Sequence, residues 1–258
     1  MHTEWSWDAA RGDMQATCAR ALEIGLPAIA FTEHADYVQA FAEQRPVDIH
    51  GYLEAVERCR AKFPGLRVLS GVELGEPHRF PAEVAVLLAV GPLDRVLGSV
   101  HTIRREGAPV DMSQGILTPA AAPALLREYF AELLALVESE QPFEVLAHLD
   151  YPKRYWPHPA IAYREADFEE EQRAVLRAAA RRGSVLEVNT TRGADPRRGL
   201  CPGPVVLGWW REEGGERVSF GSDSHEPGKI AAGFAEAAPL VEAAGFRPSD
   251  DPAGYWRR

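Results

Sequence analysis

The chain reads as an α/β protein built on a mainly parallel sheet within one domain, and three observations lead to that reading. Short apolar runs rich in Val, Leu, Ile and Phe recur without strict alternation, as in strands covered on both faces. Longer amphipathic stretches separate them, so strands and helices alternate along the chain. A length of 258 residues suits one large α/β domain or two small ones.

Six strands are expected, in order: "AIAF" (28–31), "RVLSGV" (67–72), "DRVLGSV" (94–100), "FEVLAH" (143–148), "SVLEVN" (184–189) and "RVSFGS" (217–222). Between the first two, Asp48 has the character of an N-cap, with Ile49, Leu53, Val56 and Phe63 on one helical face. Residues 119–139 and 165–182 have helical patterning, the second with a charged, solvated face. "PGPVVLGWWREEGG" reads as a helix ended by glycines, its tryptophans packing it against the sheet. A barrel and an open doubly wound sheet both fit this alternation. No GxGxxG follows the first strand and no GxxxxGK[ST] occurs, which argues against a nucleotide cradle.

Composition narrows the function classes. Acids outnumber bases 38 to 28, a formal net charge of −10. That balance opposes sequence-independent nucleic-acid binding, which depends on Lys and Arg, and is compatible with divalent cations. Cys18, Cys59 and Cys201 form no CxxC pair, which fits a reducing, cytoplasmic compartment rather than a disulfide scaffold. The N-terminus has no signal-peptide pattern, and the most apolar run, "VAVLLAVGPL", is too short to span a bilayer.

The chemistry gathers after the strands. They run into "TEHAD", "GVELGE", "SVHTI", "AHLDYPKR", "EVNTTR" and "GSDSHEP" in turn. Each carries His, Asp, Glu or Asn at or near its C-terminal end, the face on which parallel α/β folds build active sites. Burying several imidazoles and carboxylates together is costly without a cation. These groups are the usual ligands of Zn, Mn and Fe, so a multinuclear metal centre is expected.

Taken in order, "HTEWSWD", "FTEHAD", "SGVELG", "GSVHTI", "LAHLDYPKRY", "LEVNTT" and "FGSDSHEP" resemble the successive motifs of the PHP (polymerase and histidinol phosphatase) family, over residues 2–227. The resemblance implies a distorted (β/α)7, TIM-like barrel spanning 1–258 as a single metallophosphoesterase domain. It also implies two to three divalent ions (Zn, Mn or Fe) and hydrolysis of phosphate esters. Carried over residue by residue, it suggests one metal position at His2, Glu73 and Asp223 plus a further histidine. A second lies at Glu73, His101 and His148, with Glu73 bridging, and a third at Asp8, His34 and His225. Glu73, Asp223 and His225 would carry the catalytic part. Water held between two such cations loses a proton near neutral pH and attacks phosphorus.

The family motif at the N-terminus is H-x-H. If His2 is its second histidine, the first would precede Met1, together with the strand that carries it, so the first strand is expected to be truncated by a start placed too late. An authentic short form, or a binding relative without activity, is the alternative.

Basic residues follow several strand ends and are candidates for phosphate binding: Arg104 and Arg105, Lys153 and Arg154, and Arg192. "HLDYPKRY" resembles the histidinol-phosphatase-like branch of the family and favours Lys153 or Arg154. Arg192 lies in "NTTRGADPRR", which departs from that branch, and His78 is a further pocket candidate. The expected partner is a small-molecule phosphate ester, most of all L-histidinol phosphate, with neither membrane nor nucleic acid. Alternatives are a phosphoesterase acting on nucleotides or other small phosphates, and a non-catalytic metal-binding module.

Overall fold

The computed structural model describes residues 1–193, 195 and 198–258. Its strands are β1 (Ala28–Ala30), β2 (Glu33–Asp36), β3 (Arg67–Leu69), β4 (Gly71–Gly75), β5 (Arg95–Ser99), β6 (Thr102–Arg105), β7 (Ala108–Asp111), β8 (Val145–Leu146), β9 (Val185–Asn189), β10 (Arg217–Gly221) and β11 (Trp256–Arg257). Its helices are α1 (Met14–Glu23), α2 (Ile49–Lys62), α3 (Pro81–Leu88), α4 (Ala122–Glu138), α5 (Glu169–Arg182), α6 (Pro204–Glu212) and α7 (Phe234–Ala243).

All six expected strands are present. The main sheet runs β11-β10-β9-β8-β5-β4-β2, parallel throughout except where β11 joins β10 antiparallel. β1 and β3 are the lower halves of the strands that continue as β2 and β4, and they pair parallel with each other. No ladder among the described residues closes the sheet on itself. Instead, Met1 and His2 stand between its two ends, with Thr32 N donating to Met1 O at 2.9 Å and His2 N donating to Ser224 O at 2.9 Å. Below that bridge, β1 and the upper half of β10 line a shared cavity with Phe234 and Tyr255.

Two large apolar clusters pack on the outside of the sheet. One gathers α1, α2 and α3 onto β1–β4, and the other gathers α4, α5, α6 and α7 onto the remaining strands. Asp48 caps α2 as expected, its Oδ1 accepting from Gly51 N at 3.1 Å. The buried stripe of α2 is turned slightly from the expected one: Tyr52, Ala55 and Cys59 join Ile49 and Val56, while Leu53 and Phe63 are half-buried. Trp209 and Trp210 are buried in α6, and Trp210 Nε1 donates to Arg217 O at 3.1 Å.

Several elements depart from the expected pattern. The stretch at 165–182 starts as a 3-10 turn and becomes α-helical at Glu169. "VAVLL" belongs to the short helix α3. α1, capped by the Asp13 side chain, the hairpin β6–β7 and α7 with its internal Pro239 lacked a pattern long enough to announce them.

Candidate metal centre

The expected ligands converge at the C-terminal ends of the strands. His2 Nε2 lies 3.0 Å from Asp223 Oδ1 and 3.5 Å from Glu73 Oε2. Glu73 Oε1 lies 3.1 Å from His101 Nε2 and 2.9 Å from His148 Nε2, and those two nitrogens are 3.3 Å apart. Asp8 Oδ2 lies 3.0 Å from His225 Nε2 and 3.5 Å from His34 Nε2. The rings of His2 and His34 stack with centroids 3.9 Å apart, which joins the groups into one cluster. Ligand atoms close enough to share an ion occur in the sets His2, Glu73, Asp223; His34, Glu73, His101; and His2, His34, His225.

Buried partners hold these ligands. Ser6 Oγ donates to Glu33 Oε2 at 2.7 Å and accepts from His34 N at 2.9 Å. With the Ser6 proton committed to Glu33, its 3.3 Å contact with His2 Nδ1 is a donation from the ring. Donor accounting therefore leaves His2 Nε2 without a proton. Glu76 Oε1 accepts from His101 N at 2.6 Å and Thr102 N at 2.7 Å, and Glu187 Oε2 accepts from His148 N at 2.8 Å. His148 (φ 22°), Asp223 (φ 47°) and Glu76 (φ 45°) all lie at positive φ. Such conformations cost about 1–3 kcal/mol each and collect at functional sites.

The electrostatics call for cations. Burial, and then the neighbouring His34, lower the His2 pKa to about 3, so its ring is neutral. Burial opposes ionisation of Glu73, yet the surrounding His148 and His101 hold its carboxyl well below the usual range. Burial likewise opposes the Asp223 charge, and the neighbouring Arg154 overrides it. For His101, burial disfavours the charged ring, but the bond and charge of Glu73, with Asp36 and Glu76, push its pKa well up. With Nδ1 donating to Ser6, Nε2 of His2 faces two carboxylate oxygens, an arrangement of three acceptors that a cation between them would satisfy. Neutral imidazoles with carboxylates are a fitting set for Zn, Mn or Fe, so the residues suit the metals expected here.

Beside the ligands opens a cleft of about 260 Å³, whose lining includes Arg154, Arg192, Thr191, Trp7, Phe41 and Asp111. The Trp7 and Phe41 rings stack 5.5 Å apart. Arg154 is buried, its Nη1 2.7 Å from Asp223 Oδ2, while its Nε and Nη2 have no partner among the described residues. Arg192 stands exposed at the rim.

Two candidates are placed elsewhere. Lys153 Nζ is committed to Glu165 Oε1 and Leu200 O, both at 3.1 Å. His78 Nε2 is bonded to Glu132, which also accepts from Arg79 Nε at 2.7 Å. Neither lines the cleft. Arg104 and Arg105 are exposed on the β6–β7 hairpin, where Arg105 pairs with Glu128 at 2.8 Å. Sequence reasoning passed over Glu33, Asp36, Glu76, Asp111 and Glu187. All but Asp111 lie within two or three residues of a ligand or in a strand-end string, but nothing there separates a supporting carboxylate from a ligand.

The PHP domain family model matches residues 1–191. The chain belongs to the PHP family. The histidinol-phosphatase of Lactococcus lactis subsp. lactis is 28% identical over 227 residues, covering 88% of this chain and 83% of that protein. A protein of Deinococcus radiodurans named "Probable histidinol-phosphatase" is 26% identical, covering 92% and 90% respectively. A crystal structure of the Lactococcus lactis histidinol phosphate phosphatase, complexed with Zn, L-histidinol and phosphate, matches with a TM-score of 0.84 at 26% identity. The match covers 96% of this PHP chain and 92% of that one. A solved structure from Listeria monocytogenes gives a TM-score of 0.74 at 17% identity, which speaks for the fold alone. The PHP chain thus has the TIM-like α/β architecture expected of it, and no helix of the described residues is long and apolar enough to cross a membrane.

Proposed function

We propose that this PHP protein is a metal-dependent phosphomonoesterase that hydrolyses L-histidinol phosphate to L-histidinol and phosphate, a step of histidine biosynthesis. The observation that carries the reading is the bare Nε2 of His2 held against Asp223 and Glu73, beside the buried Arg154 that lines the cleft. The likeness to a phosphatase that binds Zn, L-histidinol and phosphate supports it.

Divalent cations bound by these residues would act as Lewis acids on phosphate oxygens and lower the pKa of an attacking water. The protein supplies the rest. Glu73 spans two ligand groups, with Oε2 toward His2 and Oε1 toward His101 and His148. Asp223 is gripped by Arg154 Nη1 through Oδ2, which leaves Oδ1 facing His2 Nε2. Arg154 lines the cleft and brings a planar guanidinium suited to phosphate oxygens, with Arg192 at the rim. In the same cleft, the stacked Trp7–Phe41 pair and Asp111 offer aromatic and acidic groups that suit a cationic, ring-bearing leaving group.

The functional unit runs over 1–258 as one domain, because Asp223 and His225 lie beyond the part matched by the family model and complete the ligand set. Phosphate release from L-histidinol phosphate, set against a panel of other phosphomonoesters with Mn- or Zn-loaded protein, tests the proposal. Preference for L-histidinol phosphate is expected. Activity on other esters alone would remove the substrate assignment, and inactivity on all would remove the enzyme.

A further inference from the structure

We propose that Asp36 is a positioning residue that orients two candidate ligand histidines, His34 and His101, from behind. The inference rests on the metal-centre reading above. Both rings turn Nε2 toward the ligand cluster, His34 toward Asp8 and His101 toward Glu73. Both turn Nδ1 toward Asp36: His34 Nδ1 lies 3.7 Å from Oδ2, and His101 Nδ1 lies 3.9 Å from Oδ1. His34 Nδ1 and Asp36 Oδ1 are each buried without a hydrogen-bond partner among the described residues. The orphan Nδ1 of His34 thus sits a few tenths of an ångström outside bonding range of the Asp36 carboxylate through Oδ2, and the orphan Oδ1 faces His101 Nδ1.

The carboxylate has a seat prepared by two other residues. Trp7 Nε1 donates to Asp36 Oδ2 at 2.8 Å. In the β2–β4 ladder Asp36 stands opposite Gly75, where an added Cβ would come within 2.2 Å of Asp36 Oδ1. The missing side chain at Gly75 is the space the carboxylate occupies. A carboxylate behind a ligand histidine keeps the proton on Nδ1 and the lone pair on Nε2 facing the metal, and losing it typically costs about 10–100-fold in metal affinity. Asp36 serves two such rings at once.

The test is zinc affinity of the full-length protein, measured by competition with a chromogenic chelator, with the ring tautomers of His34 and His101 read by long-range 1H–15N NMR. Asp36→Asn keeps the size and an acceptor for Trp7 but loses the charge. It is expected to weaken zinc binding about 10–100-fold and to mix the tautomers, with the metal-free melting temperature unchanged. Gly75→Ala should weaken zinc binding in the same direction by pushing the carboxylate off its seat. Wild-type zinc affinity and a pure Nδ1–H tautomer in Asp36→Asn would overturn the role. A raised KM with unchanged zinc affinity would overturn it too, by making Asp36 a substrate contact. Failure of the wild-type protein to bind zinc would overturn the metal centre and this role together.

Discussion

His2 presents an unprotonated Nε2 to the Asp223 carboxylate 3.0 Å away, two acceptors held in contact by the folds around them. Ser6 and Glu33 fix the histidine tautomer, and Arg154 holds the aspartate. A cation relieves that contact. Zinc at 100 times its Kd should therefore stabilise the protein by about 2.7 kcal/mol. Calorimetry should show a rise in Tm of several degrees on loading and its loss on chelation. An unchanged Tm across that titration would count against a metal bound here.

His148 and Glu73 should separate in their effects. His148→Ala removes one ligand and is expected to abolish most phosphatase activity while leaving the fold largely intact. Glu73→Ala removes the carboxylate that faces His2, His101 and His148 together. Metal analysis should show it losing more bound metal than His148→Ala does, and full metal content would end the bridging role.

Gly221 lies below the ligands yet bears on them. A Cβ there would meet Glu187 Oε1 at 1.9 Å, and Glu187 holds the backbone N–H of His148. Gly221→Ala should displace that carboxylate and release His148 from its positive φ. The expected result is at least a tenfold (~1.4 kcal/mol) loss of kcat/KM in steady-state assays.

Arg154→Lys tests the phosphate fork. A lysine keeps a charge near Asp223 but has a single ammonium in place of the planar guanidinium. Loss of a preorganised donor at a developing charge costs on the order of 10²–10³ in kcat. The same assay should find Arg192→Lys much milder, since Arg192 is exposed at the rim.

Glu132 gives a pH dependence away from the metals. Burial opposes its charge, but bonds to His78 and Arg79 bring its pKa down to about 2 from 4.5. Its folded pKa is depressed, so its stabilisation is present above pH 4.5 and is lost as pH falls toward 2. Glu132→Gln should flatten stability against pH in that window, by on the order of 2 kcal/mol, in denaturant titrations at fixed pH values.

Much of this site is legible in the sequence because six of the eight candidate ligands lie on or just past an apolar strand in a short string, with His2 and Asp8 ahead of the first strand. "TEH" in β2 and "VEL" in β4 put the ligands on the strands themselves, while "GSD" after β10 puts Asp223 just past the strand end. Lys153 and Arg154 show the limit. They are adjacent and chemically alike, yet Arg154 enters the cleft and Lys153 is drawn to Glu165 and Leu200 O. Only the 3-10 turn at Tyr151–Tyr155 decides which of the two faces the cleft.

The supporting carboxylates were hidden for a related reason. Glu33 and Glu76 neighbour candidate ligands along the chain, and Glu187 lies on β9, which carries none, but their partners are Thr3, Thr102 and His148, all distant in the chain. By itself the sequence determined the strand–helix alternation, which local periodicity carries, and a motif order whose resemblance to the PHP family implied the eight metal-ligand candidates. The tertiary structure alone decided which lone pairs face each other, which arginine is free to bind phosphate, and where Asp36 sits behind two rings. Those depend on register and on buried contacts between residues up to 221 positions apart, and no local pattern encodes them.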